Sequence, residues 1–363
     1  MSKRQVLVAL SGGVDSGVAA ALLVEQGYEV VGAMLRLWVE RSPNNDLANR
    51  CCTPEAVKRA RCVAAQLGIP FYLVNAEAEF KAQVVDYLIA EYSSGRTPNP
   101  CVHCNRTVRF GFLLNHGLAL GVEFMATGHY ARVRRVKGRY QLLRGRDSLK
   151  DQSYFLHALS QEQLAHVLFP LGELTKQETR AIARRHGLPV AEQPESQDLC
   201  FLADGDYRRF LAQQTPHLFR PGPIRDTSGR VLGEHQGLPA YTIGQRKGLG
   251  IAATEPLYVL AICPAENALI VGTAQELGQD ECMVEEMRYI SGETPTAAFH
   301  ATAQIRYRAR PVAVTVTPLP QKRARVRFDS PQRDITPGQF LVLYDDEVVI
   351  GGGAICSAQE YML

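Results

Sequence analysis

Apolar and polar positions fall along this chain in blocks with clear limits. Residues 6–10 form a short Val/Leu run, the pattern of a strand buried on both faces of a parallel sheet. Ser11, Gly12 and Gly13 break the run. Small and apolar residues then recur at helical spacing over 14–26 and stop at Gly27. Strand patterns at 30–34, 71–75 and 121–127 alternate with helical ones at 51–67 and 80–92. The first of these two helices has Thr53 as N-cap and Pro54 at its first position, with Gly68 and Pro70 as its stop. Strands alternating with helices predict an α/β fold, a doubly wound parallel sheet of Rossmann-like type.

Further on the pattern changes. Residues 151–212 read as mainly helical, most clearly at 175–186, where Thr175 and Glu178 stand at capping-box spacing and Gly187 and Pro189 end the run. After Pro216 the chain is rich in turns, with short strand patterns at 257–262 and 269–271. From about residue 280 short apolar–polar alternations dominate, at 301–307, 312–317, 324–328, 340–344 and 348–350. They predict a small antiparallel barrel or sandwich. Three domains are therefore expected: a catalytic α/β domain over 1–205, a central domain over 206–280 and a C-terminal antiparallel β-barrel over 281–363.

Composition narrows the function. With 46% hydrophobic and 21% charged residues in 363, the chain is neither disordered nor of low complexity. Its net charge of +3 is too small to indicate nucleic-acid binding by itself. The distribution matters more. Residues 301–330 hold seven Arg or Lys (306, 308, 310, 322, 323, 325, 327) against one acid, Asp329. On short strands these would form a positive face suited to RNA phosphates. No apolar run reaches the ~18–20 residues of a membrane span. The N-terminus lacks an export pattern, and the nine cysteines are odd in number. Thiols in a reducing cytoplasm are the expectation.

The strongest chemical signal is Ser11-Gly12-Gly13-Val14-Asp15-Ser16 between a strand and a helix. Two glycines let the backbone approach a ligand, and converging N–H groups with the helix's positive end make an anion site. Ser11 and Ser16 add hydroxyls, and Asp15 offers a carboxylate for Mg²⁺ beside phosphate. The lysine of a G-x-x-x-x-G-K-[ST] loop is absent. This string resembles the signature of the PP-loop ATP pyrophosphatases. The resemblance implies cleavage of ATP to AMP and pyrophosphate, with the acceptor left open.

Downstream, Cys101 and Cys104 form a C-x-x-C after Asn99 and Pro100, just before a predicted helix. The helix dipole and nearby Arg106 and Arg109 favour thiolate there. Cys200 follows about a hundred residues later. Sulfur transfer needs such thiols, whereas amide formation does not. Cys51 and Cys52 are adjacent and read as core or surface thiols, as do Cys62, Cys263, Cys282 and Cys356.

At this point the chain resembles the tRNA-specific 2-thiouridylases. The blocks that carry the likeness are 9–16, Gly95 to Pro100, Cys104-Asn105, Ala126 to Tyr130, Lys150 to Phe155, Gly233 to Gly237, Gly244 to Gly250, Arg306 to Arg308, Thr336 to Gln339 and Gly351 to Gly353. The resemblance implies that Ala9, Leu10, Ser11, Gly12, Gly13, Val14, Asp15, Ser16, Leu35 and Gly128 line the ATP site. It implies that Cys200 carries persulfide sulfur and that Cys104 helps to free it, ending in a disulfide. Asn99, Pro100 and Cys101 would face the target base. His129, Lys150, Asp151, Gln152, Arg306, Tyr307 and Gln339 would contact tRNA. The implied substrates are tRNAs for Lys, Glu and Gln, with a cysteine desulfurase or sulfur-relay protein as donor. One departure stands out: Cys101 occupies a position where many relatives carry Asp. Cys101, Cys104 and Cys200 together would suit a [4Fe–4S] cluster as an alternative to the persulfide.

Overall fold

The structure is a computed structural model that describes residues 3–40, 53–193, 199–202, 204–333 and 335–356. Cys51 and Cys52 lie outside these residues.

Strand β1 (Gln5–Ala9) occupies the middle of a five-stranded parallel sheet. Its neighbours are β2 (Glu29–Arg36) and β4 (Phe124–Ala126), flanked in turn by β3 (Phe71–Asn75) and β7 (Val167–Leu168), giving the order β3-β2-β1-β4-β7. The register runs Val6↔Val30 on one side and Val6↔Phe124 on the other. The chain reverses direction of travel at β1, so ligands are expected beyond the carboxyl ends of β1 and β4. Helix α1 (Val14–Glu25) and α2 (Pro54–Leu67) cover one face through Val18, Ala20, Leu23, Ala60 and Ala64. The Thr53 hydroxyl caps α2 by accepting from Ala56 N at 3.1 Å. α3 (Glu77–Phe80) and α4 (Asp86–Ser93) are joined by a π-helical stretch, Lys81–Val85. α5 (Pro100–Cys104) and α6 (Leu114–Ala119) are likewise joined by one, Asn105–Leu113. Such widened turns cluster at functional sites.

The stretch 151–212 is less helical than its composition predicts. It holds α7 (Gln161–Ala165), strand β7, α8 (Lys176–Arg185) and α9 (Tyr207–Gln214), with turns between. Many polar residues there satisfy turns and caps rather than a helix face. The Thr175/Glu178 capping box is present as its spacing predicts.

A four-stranded sheet follows, built from β8 (Gly222–Arg225), β9 (Val231–His235), β10 (Tyr258–Cys263) and β11 (Ala268–Gly272) in the order β10-β11-β8-β9. Beyond it β12 (Gln279–Tyr289), β13 (Phe299–Gln304), β14 (Val312–Leu319), β15 (Arg323–Gln332), β16 (Phe340–Asp345) and β17 (Val348–Ile355) form an antiparallel barrel. It closes where β12 pairs with β17, Val284 opposite Ile355. Cys282, Val284, Val314, Val326, Leu341 and Leu343 fill its interior.

One element is not apparent in the sequence pattern. A hairpin, β5 (Ala131–Val136) and β6 (Arg139–Arg144), leaves the α/β domain and joins the barrel sheet at Leu143↔Val348. A single apolar core runs across this junction: Leu7, Phe110 and Met125 pack with Leu142, Phe340, Val342 and Tyr344. Barrel and catalytic domain are thereby fastened together. Among the described residues no helix is long and apolar enough to cross a membrane.

Candidate active site

The loop 11–16 lies at the carboxyl end of β1. Gly12 has φ +73°, and a Cβ there would stand 2.4 Å from Ala56 O, so only glycine fits. Ser11 N donates to Ser16 Oγ at 3.1 Å, and Ser16 Oγ donates to Gly13 O at 3.2 Å. Arg59 Nε reaches Gly12 O at 3.1 Å from α2. These bonds hold the loop around the unsatisfied N–H groups that open α1. Gly128, just past β4, comes so close that a Cβ would lie 2.7 Å from both Asp15 C and Ser16 N. The two strand ends therefore form one cradle.

Asp15 is engaged by two groups that are not evident from the loop's sequence. Lys176 Nζ donates to its two carboxylate oxygens at 2.7 and 2.8 Å. Tyr130 OH donates to Oδ1 at 2.9 Å and also lies 3.0 Å from Thr179 Oγ1. Lys176 opens α8, where the helix dipole disfavours a cation, and its side chain is 12% exposed. Asp15 compensates for both costs. The ammonium thus supplies the positive charge that the loop itself lacks, and the carboxylate expected to meet Mg²⁺ already faces a cation.

The thiols gather around a second centre. Asn99 caps α5, its Oδ1 accepting from Cys101 N at 3.2 Å and Val102 N at 3.4 Å, with Pro100 at the first helical position. Cys104 is 8% exposed and packs with Leu37, Phe80, Val84, Leu88, Val108 and Phe201. Cys200 packs against the same cluster, as do Leu35 and Trp38. Cys101 is exposed. Arg106 pairs with Glu286 at 2.8 Å, and Arg109 donates to Asn105 Oδ1 at 3.0 Å. His103 stacks on Tyr87 with centroids 4.2 Å apart, and burial lowers its pKa to about 4, keeping it neutral.

The three thiols do not fit an iron–sulfur cluster. Among the described residues no group of three or more His, Cys, Asp or Glu side chains is arranged to hold a metal.

The remaining expected residues line the junction between the domains. Gln339 Nε2 donates to Thr97 O at 2.8 Å and Pro98 O at 3.3 Å, holding the segment before α5 against the barrel. Arg306 Nη2 donates to Ile243 O at 3.2 Å and also contacts Thr336 Oγ1. Tyr307 packs on Phe155 with centroids 4.3 Å apart. Asp151 is buried, paired with Arg144 at 3.0 Å and accepting from Gly145 N at 2.9 Å and Ser153 N at 3.0 Å. Gln152 Oε1 accepts from Tyr130 N at 3.0 Å. Lys150 is half-buried in the preceding turn. His129 is buried with Nδ1 2.7 Å from Thr127 Oγ1, and burial lowers its pKa to about 3. Asp151, Gln152 and His129 thus shape the site from within.

Comparison with known proteins shows the family. Residues 4–204 match the family model of the tRNA methyl transferase HUP domain, 208–273 its PRC-barrel domain and 279–355 the aminomethyltransferase beta-barrel domain. A tRNA-specific 2-thiouridylase MnmA of Moorella thermoacetica is 52% identical over 98% of this chain and 100% of its own. One of Magnetococcus marinus is 52% identical over 97% of this chain and 99% of its own. Among solved structures, a 4-thiouridine synthetase–RNA complex with bound ATP covers 59% of this chain and 50% of that one at 18% identity, with a TM-score of 0.36, too remote to argue from. At half the positions identical over nearly the whole of both chains, this chain belongs to the tRNA-specific 2-thiouridylase family.

Proposed function

We propose that this protein is an ATP-dependent tRNA sulfurtransferase that converts the C2 carbonyl of the wobble uridine to a thiocarbonyl. The observation that carries this reading is the meeting of an anion-binding loop and two thiols at one end of one sheet, with Leu35 of β2 packing against the thiol cluster.

The carbonyl oxygen of uracil is a poor leaving group. Attack of that oxygen on the α-phosphorus of ATP expels pyrophosphate and leaves an adenylated oxygen. The amides of 11–16 and the Lys176 ammonium meet the charge that develops on the phosphates. Mg²⁺ bound beside Asp15 would screen the same charge. The terminal sulfur of a Cys200 persulfide then attacks C2, and AMP departs with the former carbonyl oxygen. Cys104 attacks Cys200 Sγ, which releases the thiolated base and forms a Cys104–Cys200 disulfide. An external dithiol reduces it before the next turn. The apolar walls formed by Phe80, Phe201 and Leu88 keep water from the sulfur. The base has to leave its stack to reach the site, at a cost of a few kcal/mol that is lowest in an anticodon loop. In this reading Asn99, Pro100 and Cys101 face the target base, and tRNAs for Lys, Glu and Gln, a desulfurase-derived persulfide and a cytoplasmic setting complete it.

The test is direct. Anaerobic protein given ATP, Mg²⁺, unmodified tRNA and a persulfide source is expected to yield 2-thiouridine and one pyrophosphate per base. Thiolated product from Cys104→Ser or Cys200→Ser would refute the assigned roles. Full turnover by Cys200→Ser on a small amine acceptor would instead identify an amide-forming ligase.

A further inference from the structure

Three charged side chains meet at one edge of the thiol cluster, and none belongs to the sites above. Arg209, in the first turn of α9, extends its guanidinium between two carboxylates. Its Nη1 and Nη2 donate to Glu40 Oε1 and Oε2 at 2.6 and 2.7 Å. Nε and Nη2 donate to Asp204 Oδ2 and Oδ1 at 2.7 and 3.1 Å, and Nη1 also reaches Gln213 Oε1 at 2.9 Å. Five acceptor contacts match the five N–H donors of the group. Arg209 is held above its ordinary pKa mainly by its bond to Glu40, and Asp204 is lowered to about 2 by Arg209.

The location gives the clasp its meaning. Glu40 follows the end of β2, its side chain is 5% exposed, and its backbone N donates to Phe201 O at 3.3 Å. Phe201 is wedged between Phe80 and Phe210, with centroids 5.7 and 5.9 Å away. Asp204 lies on the far side of the same turn. The guanidinium therefore ties the turn that carries Cys200 to the sheet's carboxyl end. Among the described residues 199–202 none lies in a helix or a strand. Of the two carboxylates only Glu40 is buried, and a planar fork with five N–H donors meets both at fixed angles as an ammonium does not.

We propose that Arg209 is a positioning residue for sulfur transfer: the Glu40–Arg209–Asp204 clasp holds the Cys200 turn where its sulfur reaches both Cys104 and the activated base. The inference rests on Cys200 as the sulfur carrier. Misplacing a reacting atom by about 1 Å costs on the order of a hundredfold in rate.

Arg209→Lys keeps the charge and loses the fork. Asp204→Asn opens one arm at a half-exposed carboxylate and buries no unpaired charge, so it folds even where the lysine variant does not. Full-length variants are compared with wild type and Cys200→Ser in three assays. These are tRNA-dependent pyrophosphate release, single-turnover thiolation by persulfide-loaded protein, and the rate of Cys200 alkylation by iodoacetamide. Thiolation is expected to fall about ten- to a hundredfold in Arg209→Lys and several-fold in Asp204→Asn. Pyrophosphate release should stay within about threefold, and the alkylation rate of Cys200 should change with thiolation. Unchanged thiolation in both variants would overturn the clasp, as would pyrophosphate release falling in step with thiolation. Thiolation by Cys200→Ser would remove the carrier assignment and the clasp with it. An inert Cys200→Ser beside fully active clasp variants would leave the carrier standing and sink the clasp alone.

Discussion

A carboxylate inside an anion-binding loop repels the very ligand the loop is built to hold unless a cation offsets it. Lys176 provides that cation for Asp15, and its position at the dipole-opposed start of α8 would be unfavourable without the pairing. Lys176→Met is expected to raise the KM for ATP and to slow pyrophosphate release about tenfold or more, while persulfide loading of Cys200 is unchanged. Pyrophosphate-release kinetics over a range of ATP concentrations check this, and wild-type kinetics in the variant would show that Lys176 only braces the loop. Gly128→Ala acts on the same cradle by steric contact, because its Cβ would meet Asp15 C at 2.7 Å. Nucleotide affinity should fall more than tRNA affinity, as calorimetry on the two ligands separately would reveal. The loop itself was legible because strand, glycines and helix start are contiguous. Lys176 was not, since it is 161 residues from its partner and its own neighbourhood reads as an ordinary capping box. The same holds for Arg209, one of several arginines near a helix start until Glu40 is folded against it.

At the scale of elements, three carry an imidazole held neutral: α5 carries the half-buried His103, the turn after β4 carries the buried His129, and the turn before α7 carries the buried His157. Burial lowers their pKa values to about 4, about 3 and about 4. The unfolded chain binds these protons near pH 6.5, whereas the folded one refuses them until pH 3 to 4. Below the unfolded value the unfolded state therefore gains protons that the folded state does not. Stability is expected to decline as pH falls from about 6.5 to about 4, before the carboxylates of Glu178 and Asp204, both lowered to about 2, take part. Denaturant unfolding across this window measures the slope, and His103→Gln should make it shallower by one proton. A flat profile would mean that these rings are not held neutral. Asn99 belongs to the same scale. As N-cap of α5 its loss to Ala should cost about 1 kcal/mol of stability, with Asn99→Asp recovering most of it. The sequence pattern placed Cys101 and Cys104 in a loop just before a helix, whereas that helix already starts at Pro100 with Asn99 as its cap. The π-helical continuation through 105–113 was not legible, because a widened turn follows from packing, here of Val108 in the cluster with Phe80 and Val84, rather than from local propensity.

For the whole molecule, the decisive fact is that the barrel and the thiol segment share one junction. Gln339 holds Thr97 and Pro98, Arg96 pairs with Glu285 at 2.9 Å, and Arg106 pairs with Glu286 at 2.8 Å. RNA seated on the barrel is therefore seated on the same body that orients α5. Period-two alternation made the barrel legible, since β15 reads Arg323, Ala324, Arg325, Val326, Arg327 and Phe328, exposed and buried by turns. The added β5–β6 hairpin was illegible because it depends on a non-local partner, Leu143 opposite Val348. The alternation also places Arg323, Arg325 and Arg327 outward on one strand, and Glu281 lies 3.6 Å from Arg325 as a weak, exposed partner. Three such cations beside phosphates would each release condensed counterions when RNA binds. The slope of log affinity against log salt should then lose about 0.7 to 0.9 per arginine removed. Replacing all three by Gln is expected to weaken tRNA binding at low salt and to flatten that slope by about 2 to 3, with ATP affinity untouched. Filter binding at several salt concentrations reads both quantities at once. A slope unchanged in the triple variant would move the RNA path off this strand, toward the exposed Arg134, Arg135 and Lys137 of the hairpin region, where the same measurement applies.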